Sequence, residues 1–183
     1  MSRVVAILLV SMLALSVSGA GEGGVNEETS IQGTDIQEIG YSNEAYAGEP
    51  FVLTILLNDG ANMNGTEVNW VTQVCINSGI CYPPETHAMT WDEEEMNWKD
   101  SIVPEDTATY VNWRVEINWE DGNTTSIPES GFGWKVWSDC WYDGSNWGGN
   151  DSSCWPGEDR IPGFVAPLTL AAIGIAGLMI RRD

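Results

Sequence analysis

The chain has 183 residues, with 27 Asp+Glu against 7 Lys+Arg and a formal net charge of −20 at pH 7. Without the apolar ends, 1–20 and 162–183, the middle keeps Lys99, Arg114, Lys135 and Arg160 as its cations and every acid but Asp183. Such a surface repels phosphate backbones, which excludes nucleic acid as a partner, and the length suits one domain. The chain also carries 10 Trp, which argues against a disordered acidic tail, because disorder goes with few aromatics.

Residues 1–20 place Arg3 before an apolar run, Val4 to Val17, and close on Ser18-Gly19-Ala20. A basic start, a short apolar stretch and small residues at the cleavage point predict a secretory signal peptide. Residues 21–44 are rich in Gly, Glu, Asn and Thr and are expected to be a stalk or linker. A β-rich domain is expected over 45–158. Phe51 to Leu57 is a short apolar run closed by Asn58-Asp59-Gly60, a strand followed by a turn. Val68, Trp70, Thr72 and Val74 then alternate with Glu67, Asn69, Val71 and Gln73.

The clearest strand runs from Val111 to Trp119. Val111, Trp113, Val115, Ile117 and Trp119 share one face, and Asn112, Arg114, Glu116 and Asn118 share the other. This period of two predicts one wall on a core and one in water. Glu120-Asp121-Gly122-Asn123 follows as a hairpin turn, and Phe132, Trp134 and Val136 alternate with Gly133, Lys135 and Trp137. Short alternating strands separated by turns, without a long helical stripe, predict an all-β antiparallel sandwich of the immunoglobulin or fibronectin kind.

The four cysteines fall into two local groups. Cys75 and Cys81 bracket Ile76-Asn77-Ser78-Gly79-Ile80, where the glycine lets the chain turn so that the two Cβ atoms approach. Pro83 and Pro84 follow and hold Cys81 at the end of a strand. The pair reads either as a static hairpin disulfide or as a redox couple. A loop this short stabilises less than the ~3 kcal/mol expected of 15 residues, while Glu85 and the acids Asp92 to Glu95 disfavour a thiolate nearby. Cys140 and Cys154 close a Gly- and Asn-rich loop and are expected to form a structural disulfide, although four cysteines allow three pairings.

Other constellations carry less. Asp139, Asp143, Asn146 and Asp151 offer oxygens without the spacing of an EF-hand, so they read as a solvated acidic loop and no metal is assigned. His87 is the single histidine and no catalytic motif surrounds it. The scattered carboxylates read as an exported acidic surface rather than a glycosidase pair, and no motif implies a cofactor. Trp141, Trp147 and Trp155, in or beside the 140–154 loop, read as a satellite cluster first and as stacking surfaces for sugars or proteins second. Asn64, Asn123 and Asn150 head N-glycosylation sequons, which serve only on an exported surface.

Residues 159–183 place Pro162-Gly163-Phe164 before an apolar stretch, Val165 to Ile180, and end on Arg181-Arg182-Asp183. Motif, apolar run and basic end together resemble the PGF-CTERM sorting signal of archaeal surface proteins. That resemblance implies processing by an archaeosortase-like enzyme and transfer to a lipid anchor; the alternative is a permanent membrane helix. Either route leaves the domain tethered to the outer face of the membrane. A second, local resemblance lies in Cys75, Gly79 and Cys81-Tyr82-Pro83-Pro84-Glu85-Thr86, which are similar to the N-terminal periplasmic domain of the thiol:disulfide interchange protein DsbD. That family domain is an immunoglobulin-like sandwich. The resemblance implies that Cys81 is the thiol exchanged with partner proteins, Cys75 its resolving mate, and a thioredoxin-like protein the redox partner.

Taken together, the leading expectation is a membrane- or lipid-anchored surface protein with one acidic immunoglobulin-like module, structural or ligand-contacting. The alternative is an extracytoplasmic thiol-disulfide exchange module using Cys81 and Cys75.

Overall fold

The computed structural model describes residues 23–62 and 65–156. The predicted signal peptide, the C-terminal apolar segment with Pro162, Gly163 and Phe164, and the sequon residue Asn64 lie outside the described residues. The chain divides into two units, Met1–Ser153 and Cys154–Asp183, and the strands all belong to the first.

Among the described residues eleven strands follow in order: β1 Ile36–Tyr41, β2 Phe51–Leu57, β3 Glu67–Ile76, β4 Glu85–Ala88, β5 Thr90–Asp92, β6 Asn97–Ile102, β7 Ala108–Asn118, β8 Thr124–Ile127, β9 Trp134–Trp137, β10 Trp141–Tyr142 and β11 Trp147–Gly148. Among the described residues there is no helix. One sheet has the order β1-β2-β6-β5; the other has β4-β3-β7-β8, with β9 also on β7, and β10 and β11 form a separate ribbon. Every pairing is antiparallel. These two orders are the A-B-E-D and C′-C-F-G sheets of an immunoglobulin-like sandwich, as the alternating strands predict.

The core follows from the alternation. Val111, Trp113, Val115 and Ile117 of β7 are buried, as are Phe51, Leu53, Ile55 and Leu57 of the opposing sheet's β2. Trp113 stacks on Trp134 with ring centroids 4.3 Å apart and planes 6° apart, and meets Tyr41 and Trp70 edge-on. Trp119 is partly buried at the end of this row, and its indole N–H donates to Thr125 Oγ1 at 2.9 Å.

Part of the segment expected to be a stalk belongs to the sandwich. Residues 36–41 form edge strand β1 on β2, and Glu27 exchanges backbone hydrogen bonds with Lys135 of β9 at 2.9 and 3.0 Å. Ile36 is buried in the core and Ile39 and Tyr41 pack against it, while main-chain pairing holds the polar remainder at the edge.

Tyr41 ties this edge to solvent pH. Burial first, then the hydrogen bond it donates to Glu28 at 3.1 Å and the Glu28 charge, push its phenol up to about 12. In the unfolded chain a tyrosine ionises near pH ~10, so the unfolded state loses this proton first. The stability that Tyr41 contributes is therefore complete below about pH 10 and is lost as pH rises towards about 12. Urea unfolding of Tyr41→Phe across that window is expected to show a shallower fall than wild type.

Candidate functional site

The parity of β3 and β7 decides where the cysteines lie. Val68, Trp70 and Thr72 face the core, so Gln73 and Cys75 project from the outer face of the sheet, opposite Asn112 and Tyr110 of β7. The chain leaves β3 at Ile76 and turns through Gly79, whose φ of 81° lies in the left-handed region that glycine tolerates. Backbone bonds Gly79 N to Ile76 O and Ile76 N to Ile80 O, both 2.8 Å, and Tyr82 N to Val74 O, 2.9 Å, close the hairpin. Cys81 thereby returns antiparallel beside Cys75, with Cα atoms 3.9 Å apart and the two sulfurs bonded. After Pro83 and Pro84, β4 pairs along Asn69–Thr72.

The two cysteines have unequal access to solvent. Cys75 is 1% exposed, whereas Cys81 lies in an exposed segment running from Ser78 to Thr86. A groove of about 580 Å³ opens over the bridge, lined by Cys75, Cys81, Tyr110, Asn112, Lys135 and Asp143 among others. Tyr110 places its hydroxyl 3.7 Å from Cys81 Sγ, and Asn112 Nδ2 lies 4.0 Å from Cys75 Sγ. A disulfide sulfur has no proton to give, so both side chains stand as donors towards the bridge.

Charge in the groove differs from what linear proximity suggests. Lys135 enters through β9, whose residues Trp137 and Lys135 pair with Tyr110 and Asn112. Its ammonium lies 5.1 Å from the centroid of the Tyr110 ring and 2.6 Å from the Glu27 carboxylate. Asp92 ends β5 of the other sheet, Glu93, Glu94 and Glu95 form the turn that follows it, and none of them lines the groove. Asp143 contributes a carboxylate at the rim, held below the usual range by the backbone N–H groups of Asn146 and Ser145. Sequence reasoning singled out Cys75 and Cys81 but missed Tyr110, Lys135 and Glu27. The available signal for the first two was their outward parity on β7 and β9.

All four cysteines are disulfide-bonded, so none is free. The 140–153 segment packs by aromatics: Trp141 meets Trp137 edge-on at 5.1 Å, and Trp147 tilts against Tyr142 at 5.0 Å. Gly148 is required there, because a Cβ would collide with the Trp141 ring. This is the satellite cluster expected of Trp141 and Trp147, while Trp155 is exposed.

The remaining candidates are dispersed. Asp139 accepts the Ala47 N–H, Asp143 accepts those of Ser145 and Asn146, and Asp151 accepts that of Ser153. Each carboxylate thus serves a backbone donor, local for Asp143 and Asp151 and distant in sequence for Asp139. Among the described residues no three His, Cys, Asp or Glu side chains are grouped to hold a metal. His87, on β4, contacts Thr72 Oγ1 at 3.0 Å and tilts over Trp70. Asn123 and Asn150 are both exposed, with their amides donating to Asp121 and Glu44. No family model and no curated protein matches the chain.

Proposed function

We propose that this chain is an exported, membrane- or lipid-anchored module that exchanges disulfides with partner proteins through Cys81, with Cys75 as the resolving cysteine. The observation that carries this reading is the asymmetry of the bridge: an exposed Cys81 at a groove, joined to a Cys75 that is 1% exposed. Thiol exchange needs one sulfur open to attack and a mate held close to close the bond again. A purely structural role gains little here. The hairpin is already closed by its own backbone bonds, and the ring is too short to draw much stability from chain entropy.

The reaction balances with a dithiol protein of the thioredoxin kind as reductant. A partner thiolate attacks Cys81 Sγ, the Cys75–Cys81 bond breaks, and Cys75 leaves as a thiolate and takes up a proton. The second partner thiolate then attacks the partner sulfur of the mixed disulfide, and Cys81 leaves with its electron pair. Two electrons and two protons pass from the partner dithiol to the bridge; the reverse sequence reduces a disulfide in another substrate. Export and tethering rest on the signal-like start, the Pro162-Gly163-Phe164 segment and the exposed sequon residues Asn123 and Asn150.

A second reading keeps both disulfides static and makes the domain a structural or ligand-contacting surface module. It is favoured by Ile80, Tyr82 and Val103, which are 57%, 41% and 62% exposed and present apolar side chains to solvent. Equilibration in dithiothreitol redox buffers, followed by alkylation and peptide mass analysis, separates the two. The exchange reading expects Cys75–Cys81 to reduce at a potential roughly 60 mV or more above that of Cys140 and Cys154, about a hundredfold in equilibrium constant. Equal resistance of both, with an unreactive reduced Cys81, overturns it.

A further inference from the structure

We infer that Tyr110 is the residue that receives the negative charge of the Cys81 sulfur, its hydroxyl donating to Sγ of the thiolate while Lys135 lies over its ring. The assignment rests on the exchange reading for its purpose, but its geometry stands apart from that reading. Tyr110 faces Cys75 directly in the β3–β7 register, and its hydroxyl reaches past that residue to Cys81 Sγ at 3.7 Å. Its ring is held on two sides. Trp137 packs edge-on at 5.0 Å, and the Lys135 ammonium lies 5.1 Å from the ring centroid.

The chemistry selects one step. When a partner thiolate attacks Cys81, the departing sulfur is that of Cys75, and Tyr110 has no charge to receive at Cys81. When the mixed disulfide is resolved by the partner's second thiolate, Cys81 departs with the electron pair of the S–S bond. A hydroxyl aimed at that sulfur then donates to a full anion, where a hydrogen bond is roughly twice as strong as one between neutral groups. Tyr110 therefore acts on release of the reduced module, and Asn112, the donor nearest Cys75 Sγ at 4.0 Å, is its counterpart on first attack. Lys135 is placed to add positive potential on the Tyr110 side, although its ion pair with Glu27 at 2.6 Å reduces that field. The same geometry answers the acidic background of the chain, since the charge-stabilising groups arrive across strands rather than along the sequence.

The test uses the whole protein reduced with a phosphine, which opens the bridge whether or not dithiols do. The rate of Cys81 alkylation by iodoacetamide is followed against pH and located by peptide mapping, in wild type and Tyr110→Phe. Phenylalanine keeps the ring packing on Trp137 and removes only the donor. The other titratable groups of the groove, the reduced Cys75 thiol with Glu27, Lys135, Tyr142 and Asp143, are retained in both proteins, so the difference reports the hydroxyl. The midpoint is expected to rise by about one pH unit, a roughly tenfold loss of thiolate below it, as suits one hydrogen bond to a charged group. Lys135→Met is expected to move it the same way by less. An unchanged midpoint in Tyr110→Phe overturns the assignment. A midpoint that moves while dithiols fail to reduce the bridge in wild type overturns the exchange reading and leaves the Tyr110 assignment standing.

Discussion

Replacing Trp113 with alanine is expected to cost about 3–5 kcal/mol of unfolding free energy, a large share of the ~5–15 kcal/mol typical of a domain. Trp113 is 0% exposed and lies at the centre of the aromatic core, stacked on Trp134 and edge-on to Tyr41 and Trp70. Truncation removes contacts on three sides. Those neighbours belong to β9, β1 and β3, so the cavity left behind is bordered by both sheets. Trp113→Phe serves as the control. The indole N–H of Trp113 is buried without a hydrogen-bond partner, so phenylalanine sheds an unsatisfied donor while keeping most of the ring. Urea unfolding should show a much lower midpoint for the alanine variant at similar slope, with the phenylalanine variant between it and wild type. A cost below about 1 kcal/mol for alanine would contradict a core organised around this residue.

The parts of the sandwich that were legible in the sequence are those with a buried face. β2, β3, β7 and β9 all show alternation, and their inward residues are those that the pattern selected. β1 and β6 were not legible. Ile36–Tyr41 has one fully buried residue, and Asn97–Ile102 has none, although β6 lies between β2 and β5 in its sheet. Ile39 and Tyr41 of β1 and Trp98 and Ile102 of β6 do pack against the core, but these strands are short, and a register shift between Ile36 and Glu38 breaks the alternation of β1. Trp137 shows the opposite failure. It alternates with Trp134 and Val136 towards the outside, yet it is buried, because Trp141 and the backbone of Val25, which accepts its indole N–H at 2.8 Å, cover that side.

The candidate site was half legible. Cys75 and Cys81 with the intervening Gly79 are a local feature, and the hairpin they form is one that local turn chemistry produces. The groups that set the electrical environment of the sulfurs are 29 residues away in Tyr110 and farther still in Lys135. Which of them meet depends on cross-strand register, and a one-residue slip would turn Tyr110 on β7, or Lys135 on β9, into the core. For the same reason the acidic run Asp92–Glu95 is close along the chain and absent from the groove.

The unequal access of the two cysteines leads to the second large effect. In Cys75→Ala, Cys81 remains as an exposed thiol beside the Tyr110 hydroxyl, and a mixed disulfide formed there has no resolving mate. In Cys81→Ala, the remaining thiol is that of Cys75, 1% exposed and reachable only when the hairpin opens. Reaction through such an opening is slowed by the opening equilibrium, on the order of a hundredfold if opening costs ~2.7 kcal/mol. Alanine suits both positions because a serine hydroxyl at 75 would need a new hydrogen-bond partner inside the sheet. The most direct measurement is therefore to mix each reduced variant with a thioredoxin-type protein whose own resolving cysteine is replaced by alanine and whose remaining cysteine carries a thionitrobenzoate leaving group, quench with acid and map the cross-linked peptides. The account predicts a persistent mixed disulfide on Cys81 in Cys75→Ala and almost none on Cys75 in Cys81→Ala. Equal trapping of both cysteines, or trapping of neither, would contradict it.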